Sequence, residues 1–312
     1  MGRIRRLYGV INMVYIGGAS ISETGKPEGN KAGDQTGKEV YVQPWYRHVK
    51  GWIIIRAKDK AVSKKIADDM RWACENDNIG YSYWEHCYTL TEEAAKYGYD
   101  CRKVKTPVET NCAKLVRVCA LYAGVDVRDF YTGDEVQAFR DTGMFDIISD
   151  GLISDTDKYL REGDILVTRQ KAHTVAVLNN GDGIVPAVVA DCAWANVRKK
   201  SNVNSMTLET LKCGTRVELI DYAENGWGRI LYGATVGYMS PLYLKEYPLA
   251  DVQGDCWLRD KAGAKKGAQI IVIPEGGTAY LLGGMEKVGS TPWYEVEYMG
   301  YDGWASGRYV HT

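Results

Sequence analysis

Thr106-Pro107-Val108-Glu109-Thr110-Asn111-Cys112-Ala113-Lys114-Leu115 is the stretch on which the reading of this chain turns. A turn-like segment ends at Asn111, and from Cys112 an apolar period begins, Leu115, Val118, Cys119 and Tyr122, that stops at Gly124. Steps of three and four residues predict a helix with one buried face. Thr110 and Asn111 are good N-cap residues and Gly124 a good terminator, so the helix starts close to the sulfur of Cys112. Free N–H groups and the helix dipole at that end favour thiolate over thiol, and a thiolate is the nucleophile.

Downstream, Arg161-Glu162-Gly163-Asp164-Ile165-Leu166-Val167 reads as a turn and a strand, and His173 heads a second apolar strand, Thr174-Val175-Ala176-Val177-Leu178. A histidine at the mouth of a strand can point its ring at a neighbouring helix start. Taken singly, Cys112 would pass for one of eight ordinary cysteines and His173 for a surface histidine. The ordered set is more specific: cysteine on a helix start, then G-D-I-L, then a histidine opening a hydrophobic strand resembles the NlpC-type cell-wall peptidases and their CHAP amidase relatives. Their usual cysteine context is D-C-S; Asn111-Cys112-Ala113 stands here instead, which bears on rate or substrate fit. The resemblance implies a papain-like α+β catalytic domain with Cys112 as nucleophile and His173 as base.

A third group should orient the histidine. Asn180-Gly181-Asp182-Gly183 is a turn signal and Ile184 to Val189 a plausible return strand. Centring the loop on Asp182 places Asp191 opposite His173, so Asp191 is the expected orienter; Pro186 makes the return strand an edge or bulged one. Tyr81, in Asn78-Ile79-Gly80-Tyr81, occupies the place where the NlpC-type pattern tends to carry a tyrosine lining the cleft, or else is an interfacial aromatic. Glu109 is a substrate-binding candidate or a helix-cap carboxylate.

The last third of the chain repeats itself. Trp227, Tyr232, Gly237, Tyr238, Ser240 and Tyr243 recur as Trp293, Tyr298, Gly303, Trp304, Ser306 and Tyr309, each at an offset of 66. Val197-Arg198 recurs as Leu258-Arg259 and Gly214-Thr215 as Gly277-Thr278, so the insertions fall in loops. A repeated module dense in short alternating strands and aromatic corners predicts two small all-β barrels. The pattern resembles the bacterial SH3-like domain, which implies a grip on peptidoglycan peptides. The expected boundaries are 1–192 for the catalytic domain, then 193–247 and 252–312 for the barrels. From 195 to 312 there are 13 Lys+Arg and 13 Asp+Glu, which predicts a neutral ligand and gives no basic face for nucleic acid.

Net charge is −1 and no apolar run nears the roughly 20 residues of a membrane span. The cysteines lack C-x-x-C spacing, and His48 and His86 lack ligand partners, so neither a metal nor another cofactor is expected. Residues 1–12 are basic and then briefly apolar, an extraneous leader without a convincing cleavage site; Met13 is an alternative start. The segment Ala19 to Val40 with Trp45-Tyr46 resembles the front of phage and prophage lysins. The expectation is therefore a modular, monomeric peptidoglycan hydrolase, made in the cytoplasm and acting on the wall after release or export. Its implied activity is D-glutamyl endopeptidase cleavage, with N-acetylmuramoyl-L-alanine amidase and non-catalytic wall binding as the alternatives.

Overall fold

The computed structural model describes residues 13–29 and 31–311, so the leader-like residues 1–12 lie outside what is described. The chain divides into two compact units between Gly181 and Asp182. Helices are few, strands many, and the helices of four residues or more all belong to the first unit.

In chain order that unit contains β1 (Tyr15–Ala19), β2 (Val40–Pro44), β3 (Trp52–Ala57), α1 (Lys60–Cys74), β4 (Ile79–Tyr81), α2 (Thr89–Ala95) and β5 (Val108–Thr110). There follow α3 (Cys112–Tyr122), α4 (Glu135–Asp141), β6 (Phe145–Ile148), α5 (Gly151–Ser154), β7 (Ile165–Thr168) and β8 (Thr174–Val177). Six strands form one antiparallel sheet in the order β2-β1-β8-β7-β3-β6, while β4 and β5 pair in parallel beside it. Helix α3 packs against α1, α2, β1 and β8. The predicted apolar stripe explains why: Leu115, Val118 and Cys119 are wholly buried and meet Ile66, Met70 and Ala73 of α1 in one core. Burying a Leu or Met side chain of this kind contributes about 1.5–3 kcal/mol.

The helix ends follow local chemistry. Asp59 caps α1 by accepting from the Ala61 N–H at 2.7 Å, and Asn111 caps α3 by accepting from the Lys114 N–H at 2.9 Å. Asn111, and not Glu109, is thus the cap of the cysteine helix. The G-D-I-L segment is also explained structurally. Gly163 has φ +84°, and a Cβ there would strike the Ser63 carbonyl. Asp164, wholly buried, takes a two-pronged ion pair from Arg56 at 2.8 Å on each prong, and it accepts from the Arg161 N–H at 2.7 Å.

The second unit contains two seven-stranded antiparallel sheets. The first is built from strands Val185–Val189, Trp194–Arg198, Thr207–Lys212, Arg216–Tyr222, Gly228–Tyr232, Thr235–Met239 and Leu244–Glu246. Numbering strands within each sheet from one to seven, both have the spatial order 3-2-6-5-4-1-7, so the sequence repeat is a repeat of topology. Each has its own apolar cluster, around Val197 and Ile230 in one and Leu258 and Val296 in the other. The arrangement is compatible with the SH3-like barrels expected.

Two expectations need correction. Val185–Val189 does not return along β8; it pairs with Arg216–Tyr222 and Leu244–Glu246 as the first strand of the all-β repeat, and β8 lies between β1 and β7. The turn signal at Asn180 to Gly183 marks a junction between units, not a hairpin. The division therefore falls after Gly181, ahead of the expected 192/193 boundary. Pro186 is tolerated because the short strand Leu244–Glu246 registers only with Ala187, Val188 and Val189, leaving Pro186 beyond those pairs.

Candidate active site

Cys112 is the first residue of α3 and only 7% exposed. The backbone N–H groups of Thr174, Ala113 and Cys112 itself favour the thiolate electrostatically. Burial pushes the thiol up to about 11, with the nearby Glu135 carboxyl pushing the same way and those three N–H groups opposing. The expectation of a lowered thiol is thus reversed: the N–H groups of the helix start do favour the thiolate, but desolvation outweighs them.

His173 is presented by a tight turn whose anchor is Thr168 at the end of β7. Thr168 Oγ1 accepts from the N–H groups of Ala172 and His173 at 2.9 and 3.2 Å, and the Thr168 N–H donates to the His173 carbonyl at 3.0 Å. Lys171 takes φ +58° to close the turn. The next residue, Thr174, is the one whose N–H favours the Cys112 thiolate, so the start of β8 brings the histidine and that N–H to the site together. The imidazole Nε2 lies 3.1 Å from the hydroxyl of Tyr41 on β2. Burial, with His48 nearby, pushes the imidazole down to about 4. Burial likewise raises the Tyr41 hydroxyl, with Tyr46 and Cys112 adding to it and Ser20 opposing. An open depression of about 580 Å3 in front of the ring is lined by Ser20, Lys38, Tyr41, Gln43, Tyr46 and His173.

The side chain found hydrogen-bonded to the His173 ring is Tyr41, not Asp191. The hairpin that put Asp191 opposite His173 does not exist; Asp191 belongs to the second unit, where its exposed carboxylate pairs with Lys245 at 2.5 Å. Tyr41 was missed because its strand precedes the cysteine, and sequence offered no signal that β2 and β1 lie next to β8. Tyr81, on β4, is 5% exposed, and its hydroxyl is raised by burial and then by Cys112, so it stands near the thiol. Glu109 is buried on β5 with burial pushing it up to about 8 and Glu39, Glu23 and Glu28 adding to the rise; the Gly33 N–H, which opposes the rise, donates to the neighbouring Val108 carbonyl. Glu135 and Thr174, both buried, are site residues that periodicity could not single out.

In the second sheet of the C-terminal unit, Arg259, Lys265, Lys266 and Arg308, with the single acid Asp255, line a depression of about 520 Å3 beside Trp257 and Trp293. The even charge count of the region thus conceals a local concentration of cations. Trp293 is buried as a core residue while Trp257 is 42% exposed.

Residues 16–184 match the endolysin-like domain family, and the chain belongs to that family. The matched span ends close to the division between the two units. No curated protein matches the sequence. Among solved structures, NlpC2 and NlpC1 from Trichomonas vaginalis are similar at 16% identity and a TM-score of 0.22 each. The similarity covers 41% of this chain and 48% and 46% of those chains, about half the length of either.

Proposed function

We propose that this chain is a peptidoglycan hydrolase of the endolysin type whose nucleophile is Cys112. Membership of the endolysin-like family supports a wall hydrolase in general. What carries the cysteine reading is the sulfur on the first turn of α3, where three backbone N–H groups favour the thiolate, one of them from the residue next to His173. In this reading the resting pair is neutral thiol and neutral imidazole. As sulfur attacks an amide carbon of the stem peptide, next to D-glutamate, its proton passes to His173, and the imidazolium then protonates the leaving amine. Water releases the acyl group. N–H groups at the start of α3 stabilise the oxyanion, and Tyr41 Oη accepts from Nε2–H, leaving Nδ1 free to take the thiol proton. Tyr81 and Glu109 belong to the wall of the substrate cleft. The all-β modules hold the enzyme on the wall, the cationic depression of the second suiting carboxylate-bearing peptides. Among the described residues no helix is long and apolar enough to cross a membrane, and the site of action proposed is the wall, reached after release.

The test is mass spectrometry of muropeptides released by the full-length protein, compared with Cys112→Ala and with EDTA-treated enzyme. Products with a new amine terminus after D-glutamate, absent with Cys112→Ala and unaffected by EDTA, are expected. Free muramic acid termini would assign the amidase reaction instead, and release by Cys112→Ala would overturn the mechanism.

A further inference from the structure

Glu135 is a carboxylic acid with no role in the scheme above, yet it sits against the nucleophile. Its side chain is fully buried at the start of α4. Oε1 accepts from the Thr174 hydroxyl at 2.8 Å, and Oε2 has no hydrogen-bond partner among the described residues. The Thr174 backbone N–H favours the Cys112 thiolate and the Glu135 carboxyl opposes it, so both groups lie within electrostatic reach of the sulfur. One residue therefore joins the acid to the thiol, from the strand that also carries His173.

We propose that Glu135 is a positioning residue that must be in its neutral acid form for the Cys112 thiolate to exist, the two groups holding at most one negative charge between them. The orphan Oε2 suits a proton: a neutral acid accepts at one oxygen and carries hydrogen on the other, whereas a buried carboxylate with a single donor is poorly compensated. Two anions in one dry site cannot both be accommodated, the same argument that separates paired carboxylates. Burial indeed pushes Glu135 up to about 8, Thr174 opposing and Asp134 adding. Among the described residues, the buried cation two positions along α3, Lys114, is taken up by Asp129 and the Phe130 carbonyl. Asp134 is engaged by Arg128, Tyr41 and Tyr81 are held neutral by burial, and the buried His173 ring is held neutral as well. Coupling of this kind is reciprocal: ionising Glu135 opposes the thiolate, and forming the thiolate holds the proton on Glu135.

The inference rests on Cys112 as the nucleophile but not on wall hydrolysis, and its test needs no substrate. Full-length protein is alkylated with iodoacetamide between pH 6 and 10.5, and the Cys112 peptide is quantified by mass spectrometry. Glu135→Gln, isosteric and uncharged, should react about tenfold or more faster at pH 9, its profile moved down by about one pH unit or more. Thr174→Val, which removes the donor to Oε1 but keeps the backbone N–H, should move the profile in the same direction, because the acid then keeps its proton to higher pH. It reads the coupling if Glu135→Gln does not fold. Profiles superimposable on wild type in a folded variant would overturn the proposal. Lack of wall lysis by a protein that shows the shift would strike the proposed function and leave the coupling standing.

Discussion

The hydroxyl of Tyr41 lies 3.1 Å from Nε2 of His173, so the imidazole is oriented by a neutral phenol where a carboxylate was expected. A phenol can fix the ring plane and the tautomer but adds little to the stability of the imidazolium, which fits an imidazole that burial holds at about 4. Tyr41→Phe keeps the packing and removes the hydroxyl. Turnover on purified walls, followed by turbidity, should fall by about tenfold to a hundredfold, less than the roughly 10²–10⁴ that acid–base transfer itself contributes. Asp191→Asn should leave turnover unchanged; a large loss there would return Asp191 to the site.

The neutral resting pair has its own signature. A preformed thiolate–imidazolium pair would give Cys112 a plateau of alkylation between its two titrations. With the thiol near 11 and the imidazole near 4, the wild-type rate should instead climb about tenfold per pH unit from pH 6 to about 7.5, and flatten only as Glu135 ionises near 8. A plateau in that range would contradict the neutral pair.

Stability should pass through a maximum on the acid side of neutrality. Glu135 and Glu109 stand at about 8 and Asp69 at about 7 in the folded protein, above their ordinary 4.5 and 3.8, so the folded state binds more protons than the unfolded one across that window. Their contribution is present below the ordinary values and is lost as pH rises toward 8. His173 works oppositely: lowered from 6.5 to about 4, it costs stability as pH falls between those values. Calorimetry should therefore give a higher Tm near pH 5.5 than at pH 8.5, and Glu135→Gln should remove part of the alkaline fall.

Asp164 is wholly buried against Arg56, and replacing it strands a guanidinium that is 12% exposed. Asp164→Ala should cost about 3–5 kcal/mol in urea unfolding. A change below about 1 kcal/mol, the ordinary worth of an exposed pair, would mean water reaches Arg56.

The division after Gly181 can be tested against the later boundary. Fragment 182–312 retains Val185–Val189, which pairs with strands on both sides, and should fold and sediment with walls. Fragment 193–312 lacks that strand and should lose cooperative unfolding in its first sheet, while the second remains intact. Equal cooperativity in both fragments would show that the strand is dispensable.

Sequence by itself determined what local chemistry determines: the cysteine helix with its Asn111 cap, the strand after His173, α1 with its buried stripe, and the repeat that became two sheets of one topology. Apart from the repeat, which is self-similarity at an offset of 66, these are periodicities and caps read within about fifteen residues. Tertiary structure decided who faces whom. Val185–Val189 has strand composition under either pairing, and only the partners Arg216–Tyr222 and Leu244–Glu246 assign it to the second unit. Tyr41 meets His173 across 132 positions of sequence, Glu135 meets Thr174 across 39, and desolvation, which sets the thiol and the imidazole, exists only once the core has closed around them. Strand order and burial are properties of the packed whole, and residue type and spacing do not carry them.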